Sequence, residues 1–210
     1  VISTRTEDQY WKRNTLVIGV DEAGRGALAG PVAAAAVVFD PDRIPAGLND
    51  SKLLTAEQRA TCAVEIRSYA RAWSVALIDQ RRIDEVNILQ ATFDAMHQAV
   101  NECVGGIGHA QPLHLLIDGN RFRAHEIPHT TIVHGDALVA SIAAASILAK
   151  TTRDAWMIDI DRIYPQYGFA RHKGYGTAVH REAILQYGAC DIHRETFLKK
   201  LHATSTQGDI

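Results

Sequence analysis

Four acidic residues in this chain stand where strand-like runs come to an end. Leu16-Val17-Ile18-Gly19-Val20 is apolar and largely β-branched, and it closes on the adjacent pair Asp21 and Glu22. Leu113-His114-Leu115-Leu116-Ile117 closes on Asp118-Gly119-Asn120, and Thr130-Thr131-Ile132-Val133 is followed by His134-Gly135-Asp136. Carboxylates brought to one edge of a sheet repel one another and raise each other's pKa. Divalent cations remove that repulsion. Hard oxygen ligands suit magnesium or manganese, which use a few carboxylates together with waters and substrate phosphate. Two such ions about 3.5–4 Å apart can clamp the attacking and leaving oxygens of a phosphodiester displacement.

Each acid also has a plainer role. Asp118-Gly119-Asn120 alone is turn chemistry. Asp136 sits where a helix N-cap belongs. Asp21 and Glu22 point to opposite faces if both lie in the strand, so joint metal binding requires the chain to turn at Glu22, which Gly24 permits. Position alone leaves a metal site and a set of caps and turns both open.

The loop Gly24-Arg25-Gly26-Ala27-Leu28-Ala29-Gly30 has the look of a dinucleotide turn but lacks the G-x-G-x-x-G spacing, since Ala29 stands where the third glycine belongs. Asp21 and Glu22 would also repel a pyrophosphate there. Two glycines flanking an arginine suggest instead that backbone approaches a ligand closely, with a cation beside its phosphate. Lys52 and Lys150 are further phosphate candidates. Lys150 lies four residues before Asp154 and could equally form a helix ion pair. Asp154 is the runner-up to Asp136 as fourth acid, and the strand end favours Asp136. Residues 161–200 hold Arg162, Arg171, Lys173, Arg181, Arg194, Lys199 and Lys200 against Asp161, Glu182, Asp191 and Glu195. That surplus of three, with His172, His180 and His193, suits a duplex-backbone face, although a solvated surface has the same composition.

The elements that must position these residues follow from periodicity and punctuation. Strands are expected over 16–20, 31–39, 72–78, 113–117 and 130–133. Thr55-Ala56-Glu57-Gln58 fits a capping box and starts a helix to about residue 69. Val86, Leu89, Phe93, Met96 and Val100 make one face of a helix. Further helices are expected over about 137–160 and 178–186, with an irregular stretch around Pro165, Gly168, Gly174 and Gly176. This order gives the α/β class, with a mixed five-stranded sheet flanked by helices and a small C-terminal helical extension. Residues 1–14 read as a flexible segment, 15–200 as one catalytic unit, and 201–210 as a polar tail.

Composition bounds the rest. The chain has 210 residues, 47% of them hydrophobic, which suffices for one core. A formal net charge of −2 gives no whole-molecule nucleic-acid signal, so any basic surface is local. Cys62, Cys103 and Cys190 are far apart with no C-x-x-C pair, which argues against a disulfide framework or structural zinc site. The longest mostly apolar run, 137–149, is too short to cross a bilayer. With no charged-then-apolar leader at its start, the chain is expected to be cytoplasmic and without membrane contact.

Taken together, the motifs resemble a known family. Gly19-Val20-Asp21-Glu22-Ala23-Gly24-Arg25-Gly26, with Leu28-Ala29-Gly30-Pro31-Val32 after it, is similar to the signature of bacterial ribonuclease HII, the type 2 ribonuclease H. Asp50-Ser51-Lys52, Ile117-Asp118-Gly119-Asn120, Gly135-Asp136, Ser141 to Lys150, Thr152-Arg153-Asp154, His172 to Thr177 with His180, and His193-Arg194 follow in family order. The resemblance implies a ribonuclease H-like fold and a metal-dependent endonuclease, using Mg2+ or Mn2+. Its substrates would be RNA/DNA hybrids and single ribonucleotides in duplex DNA, cut to leave 5′-phosphate and 3′-hydroxyl ends. It places the catalytic, metal-binding acids at Asp21, Glu22, Asp118 and Asp136, the ribose-sensing loop at Gly24, Arg25 and Gly26, and its partner tyrosine at Tyr175. Reading a 2′-hydroxyl is what separates RNA from DNA, and glycine backbone can approach a sugar closely. A packing role for Tyr175 is the plain alternative. Ala27 stands where the family often has proline, so this turn is expected to be slightly looser. The additional N-terminal domain of type 3 enzymes is not expected here, which favours type 2, and a monomer is expected.

Overall fold

The computed structural model describes residues 2–108 and 111–199. Lys200 and the expected tail lie outside them. Five strands, β1 (Leu16–Ala23), β2 (Val32–Val38), β3 (Ala72–Ile78), β4 (Leu113–Asp118) and β5 (His129–Ile132), form one sheet in the order β3-β2-β1-β4-β5. β1, β2 and β3 run antiparallel in sequence, whereas β4 and β5 run parallel to β1. The sheet is therefore mixed, as its element order implied.

Helices cover both faces, and strand parity decides which residue meets which. On one face Ile18, Val20, Ala34, Ala36, Leu115 and Ile117 pack against α4 (Ile88–Gly105) through Phe93, Met96 and Val100. On the other, Ala33, Ala35 and Val37 meet α2 (Ala56–Tyr69) and α5 (Ala140–Asp161). The alanines of β2, ambiguous by propensity, are small because helices press on both sides of that strand. Gly19 carries the same logic further. A Cβ there would overlap the backbone of Ser141, so α5 crosses β1 at contact distance only because residue 19 has no side chain. The C-terminal extension, with α6 (Phe169–His172) and α7 (Ala178–Tyr187), has its own small core of Met157, Tyr167, Phe169, Ile184 and Leu198.

Several elements differ from expectation. The opening residues, expected to be loose, carry helix α1 (Arg5–Trp11). Its Glu7 is fully buried, and Glu7 Oε1 accepts the N–H and the hydroxyl of Ser141 at 2.9 and 3.0 Å. The polar sequence hid this because the tie is a polar one. The long helical face through residues 86–100 is two helices, α3 (Gln80–Val86) and α4, separated by Asn87 in a positive-φ conformation. The Asn87 side chain accepts from the N–H groups of Leu89 and Gln90, so a cap replaced continuity. The capping box at Thr55 and Gln58 is formed. α5 begins at Ala140 rather than 137, and the irregular stretch contains a 3-10 turn (Pro165–Tyr167) and α6. Among the described residues no helix is long and apolar enough to cross a membrane. Cys62, Cys103 and Cys190 are free thiols, as their spacing implied.

Candidate active site

Strand register brings the first two acids together. β1 and β4 run parallel and pair up to Val20 and Ile117. One residue further, Asp21 and Asp118 stand on neighbouring strands. Parity places both on the α5 face, because Val20 and Ile117 face α4. Asp136 arrives from the β5 side in a short 3-10 turn (Gly135–Ala137), and its N–H donates to Asp118 Oδ1 at 3.3 Å. It does not cap α5, whose N-cap position is Val139 and whose side-chain acceptor is Glu7. The capping role open to Asp136 from sequence is thus not the one it takes.

Glu22 departs from expectation in its route. The chain does not turn there: β1 continues to Ala23, still paired with β2. Glu22 therefore points to the α4 face, where it borders a small cavity with Leu89, Phe93, Met96, Asp118 and Asn120. It reaches the other acids around the end of β4, which stops at Asp118. Asp21, Glu22, Asp118 and Asp136 all line one cleft of about 470 Å3, together with Gly24, Arg25, Gly26, Lys52 and Tyr175. Of the acids weighed from the sequence, only the runner-up Asp154 does not border this space.

The electrostatics of the cleft are those of crowded acids. Burial, then the charges of Glu22 and Asp118, pushes the Asp21 carboxyl well above its ordinary range. Burial raises Glu22, opposed by Arg25, whose Nη1 lies 3.1 Å from Glu22 Oε1. Burial and the charge of Asp136 raise Asp118. Lys52 Nζ sits 2.6 Å from Asp136 Oδ2. Among the described residues no three carboxylates, histidines or cysteines already surround one point. Two of the four acids are instead turned onto Arg25 and Lys52.

Other residues at the cleft escaped the sequence reading. Ser51 and Ser146 Oγ atoms are 3.0 Å apart and buried, and the Ser146 hydroxyl opposes the rise in the Asp21 pKa. Arg59 lines the cleft while its guanidinium donates to the carbonyls of Ser51 and Leu54, which fixes the Asp50-Ser51-Lys52 loop. Serines beside an acid motif carry little signal alone, and Arg59 resembles any exposed helix arginine. Lys150 forms the helix ion pair with Asp154 at 2.9 Å and also stands 5.6 Å from the centre of the Tyr175 ring. Asp154 borders the adjoining groove, not the acid cleft.

Tyr175 is held by its backbone. Ala27 and Tyr175 form an isolated antiparallel bridge, and Ala29 forms another with His193. His180 Nδ1 donates to the Tyr175 carbonyl at 3.0 Å, and His180 Nε2 lies 3.1 Å from His193 Nε2. His193 Nδ1 accepts the N–H of Cys190 at 2.9 Å. These partners dictate one tautomer each: His193 donates through Nε2 and His180 accepts through Nε2, so both rings are neutral. Burial pushes both down to about 4. His180, His193 and Arg194, counted from sequence toward a duplex-facing surface, are all buried. They lie beneath the cleft's wall.

Comparison with known proteins decides the family. A sequence profile of ribonuclease HII matches residues 18–204. A ribonuclease HII from Chlorobaculum parvum is 53% identical over 207 residues, covering 96% of this chain and 98% of the relative. The chain belongs to the ribonuclease HII family. It is accordingly a ribonuclease H, an endonuclease that cleaves RNA in RNA/DNA hybrids. Among solved structures, ribonuclease H2 from Pyrococcus horikoshii superposes with a TM-score of 0.72 at 25% identity, covering 92% of this chain and all of that one. Bst-RNase HIII, solved in complex with Mn2+, shares the fold at 22% identity and a TM-score of 0.72, covering 92% of this chain and 71% of that one. The ribonuclease H-like architecture expected from the motifs is the one observed.

Proposed function

We propose that Asp21, Glu22, Asp118 and Asp136 are the catalytic acids of this ribonuclease HII and hold its divalent cations, Mg2+ or Mn2+. One observation carries the reading. The β1–β4 register sets Asp21 beside Asp118 at the mouth of a cleft that Glu22, Asp136, the glycine-arginine-glycine loop and Tyr175 share. The donor set fits such an ion. All four side chains offer hard oxygen, and three are raised in pKa by burial, with neighbouring carboxylates adding to the shift at Asp21 and Asp118, so they favour added positive charge. Mn2+ in Bst-RNase HIII supports divalent-metal use here. Bound in the cleft, the cation supplies Lewis-acid polarisation and charge neutralisation for phosphodiester displacement.

The chain's own residues do the remaining work. Arg25 and Lys52 stand beside the acids as ready phosphate partners. Gly24 and Gly26 let backbone approach a sugar. Tyr175 packs on the sugar side of the site, with Lys150 Nζ 5.6 Å and Arg153 Cζ 5.4 Å from its ring centre. A ribose is thereby read whether it belongs to a long hybrid or stands alone in duplex DNA, and products carry 5′-phosphate and 3′-hydroxyl ends. The protein acts on this duplex as a monomer.

Asp118→Asn should lower cleavage of a duplex containing one ribonucleotide by at least about 100-fold, the scale of losing one electrostatic contact at a reacting centre. EDTA should stop wild-type cleavage, and added Mg2+ or Mn2+ should restore it. Near-wild-type cutting by Asp118→Asn, or cutting in EDTA, would refute the assignment. Equal cutting of an all-DNA duplex would refute the ribose reading.

A further inference from the structure

The loop carrying Gly24, Arg25 and Gly26 is held from beneath by a guanidinium. Arg194 is fully buried. Its Nη2 donates to the carbonyls of Gly24 at 2.8 Å and Pro31 at 3.1 Å, its Nη1 to Arg25 at 2.9 Å, and its Nε to Gly30 at 3.0 Å. Among the described residues no carboxylate pairs with it; its charge rests on carbonyl dipoles and on the Phe197 ring, 5.2 Å away. Arg153, also buried, completes the clamp by donating to the carbonyls of Ala29, Pro31 and Lys173 at 2.8–3.0 Å. Burying a cation without an anion is costly, so the arrangement demands many well-aimed acceptors. Only arginine offers five donors in a fixed plane.

The consequence for the loop is geometric. No peptide bond in the described chain is cis. In a trans peptide the N–H points opposite to the C=O of the same unit. With the Gly24 and Arg25 carbonyls drawn inward to Arg194, the N–H groups of Arg25 and Gly26 face outward. Among the described residues neither donates to a backbone acceptor. Both residues line the cleft, and the space a Cβ of Gly26 would occupy has no atom within 4 Å. Two successive outward N–H groups make a concavity that binds an oxygen acceptor.

We propose that Arg194 is a positioning residue for ribose recognition: by drawing the Gly24 and Arg25 carbonyls inward, it aims the N–H groups of Arg25 and Gly26 at the 2′-oxygen of a ribonucleotide in the cleft. The proposal rests on the reading of this cleft given above and adds the group that sets its selectivity. Arg194 touches no substrate. It acts through the loop.

The test is binding in EDTA, where no strand is cut. Wild type, Arg194→Lys and Arg194→Gln are titrated with a duplex containing one ribonucleotide and with the same duplex in all-DNA form. Wild type should favour the ribonucleotide duplex. Both variants should lose about tenfold of that preference, the scale of two hydrogen bonds, while all-DNA affinity stays within about twofold. Equal weakening on both duplexes would assign the N–H groups to phosphate and overturn the proposal. So would an unchanged ratio, or a wild-type ratio of one. Should the variants not fold, the wild-type amide resonances of Arg25 and Gly26 decide. They should shift with the ribonucleotide duplex and not with DNA, and equal or absent shifts overturn the proposal. Failure of the carboxylate assignment would show separately, as cleavage by Asp118→Asn.

Discussion

Two glycines two positions apart serve this loop for different reasons, and substitution separates them. Gly24 has φ +91°, and a Cβ there would overlap the Arg153 side chain. Gly26 has ordinary φ and open space around its absent Cβ. Gly24→Ala should therefore destabilise the protein by about 2 kcal/mol or more, from strain and overlap. Gly26→Ala should stay within about 0.5 kcal/mol of wild type in urea unfolding, yet lose at least about tenfold in activity by standing between loop and sugar. The histidine pair yields a second residue-level expectation. Unfolded, His180 and His193 titrate near 6.5; folded, burial holds both at about 4. The unfolded chain thus binds more protons between these values. Stability owed to the neutral pair is complete above about 6.5 and drains away as pH falls toward 4. The thermal midpoint should fall over that window, and His193→Asn should flatten the decline. An identical slope in the variant would count against the tautomer assignment.

Among the elements, helix α1 does what a local cap does elsewhere. The N-cap position of α5 is Val139, which has no acceptor, and Glu7 supplies one from 134 residues away in sequence. The Ser3 backbone adds a bridge to Val139. The first residues of the chain thereby tie down the segment just after Asp136. Glu7→Ala should cost about 1–3 kcal/mol in urea unfolding, and Glu7→Gln, which keeps an acceptor, clearly less. Equal losses would mean that the bond to Ser141 is not what matters. This tie also marks what sequence could and could not reveal. Strands β1 to β5 announced themselves by β-branched runs, and the acids were legible because each followed such a run. The α3–α4 break was hidden because Asn87 interrupts an apolar period without a glycine or proline. Helix α1 was hidden because its anchor is a charged residue, which periodicity counts as surface. The end of β1 was placed too early, at Val20, because strand ends are judged by punctuation, and β2 holds β1 in register past the point where β4 has stopped.

For the molecule as a whole, charge is local rather than global. Net charge is −2, yet Arg59, Lys150, Arg171 and Lys173 line a groove that adjoins the cleft along α2 and α5. An exposed cation there contacts phosphate without reading sequence or sugar. Arg171→Gln should weaken binding to ribonucleotide-containing and all-DNA duplexes alike, and should make the log–log dependence of affinity on salt shallower by about one unit. Loss confined to one duplex would place Arg171 in recognition instead. The family motifs near residue 193 were visible in sequence, but their burial was not. A basic count over residues 161–200 cannot tell a guanidinium on the surface from one packed under a loop.

That packing links residues far apart in sequence. The Gly24 carbonyl and the guanidinium that donates to it are separated by 170 residues. During synthesis the loop is made well before its anchor. Until residue 194 has left the ribosome, the carbonyls of Gly24 and Arg25 have no such donor.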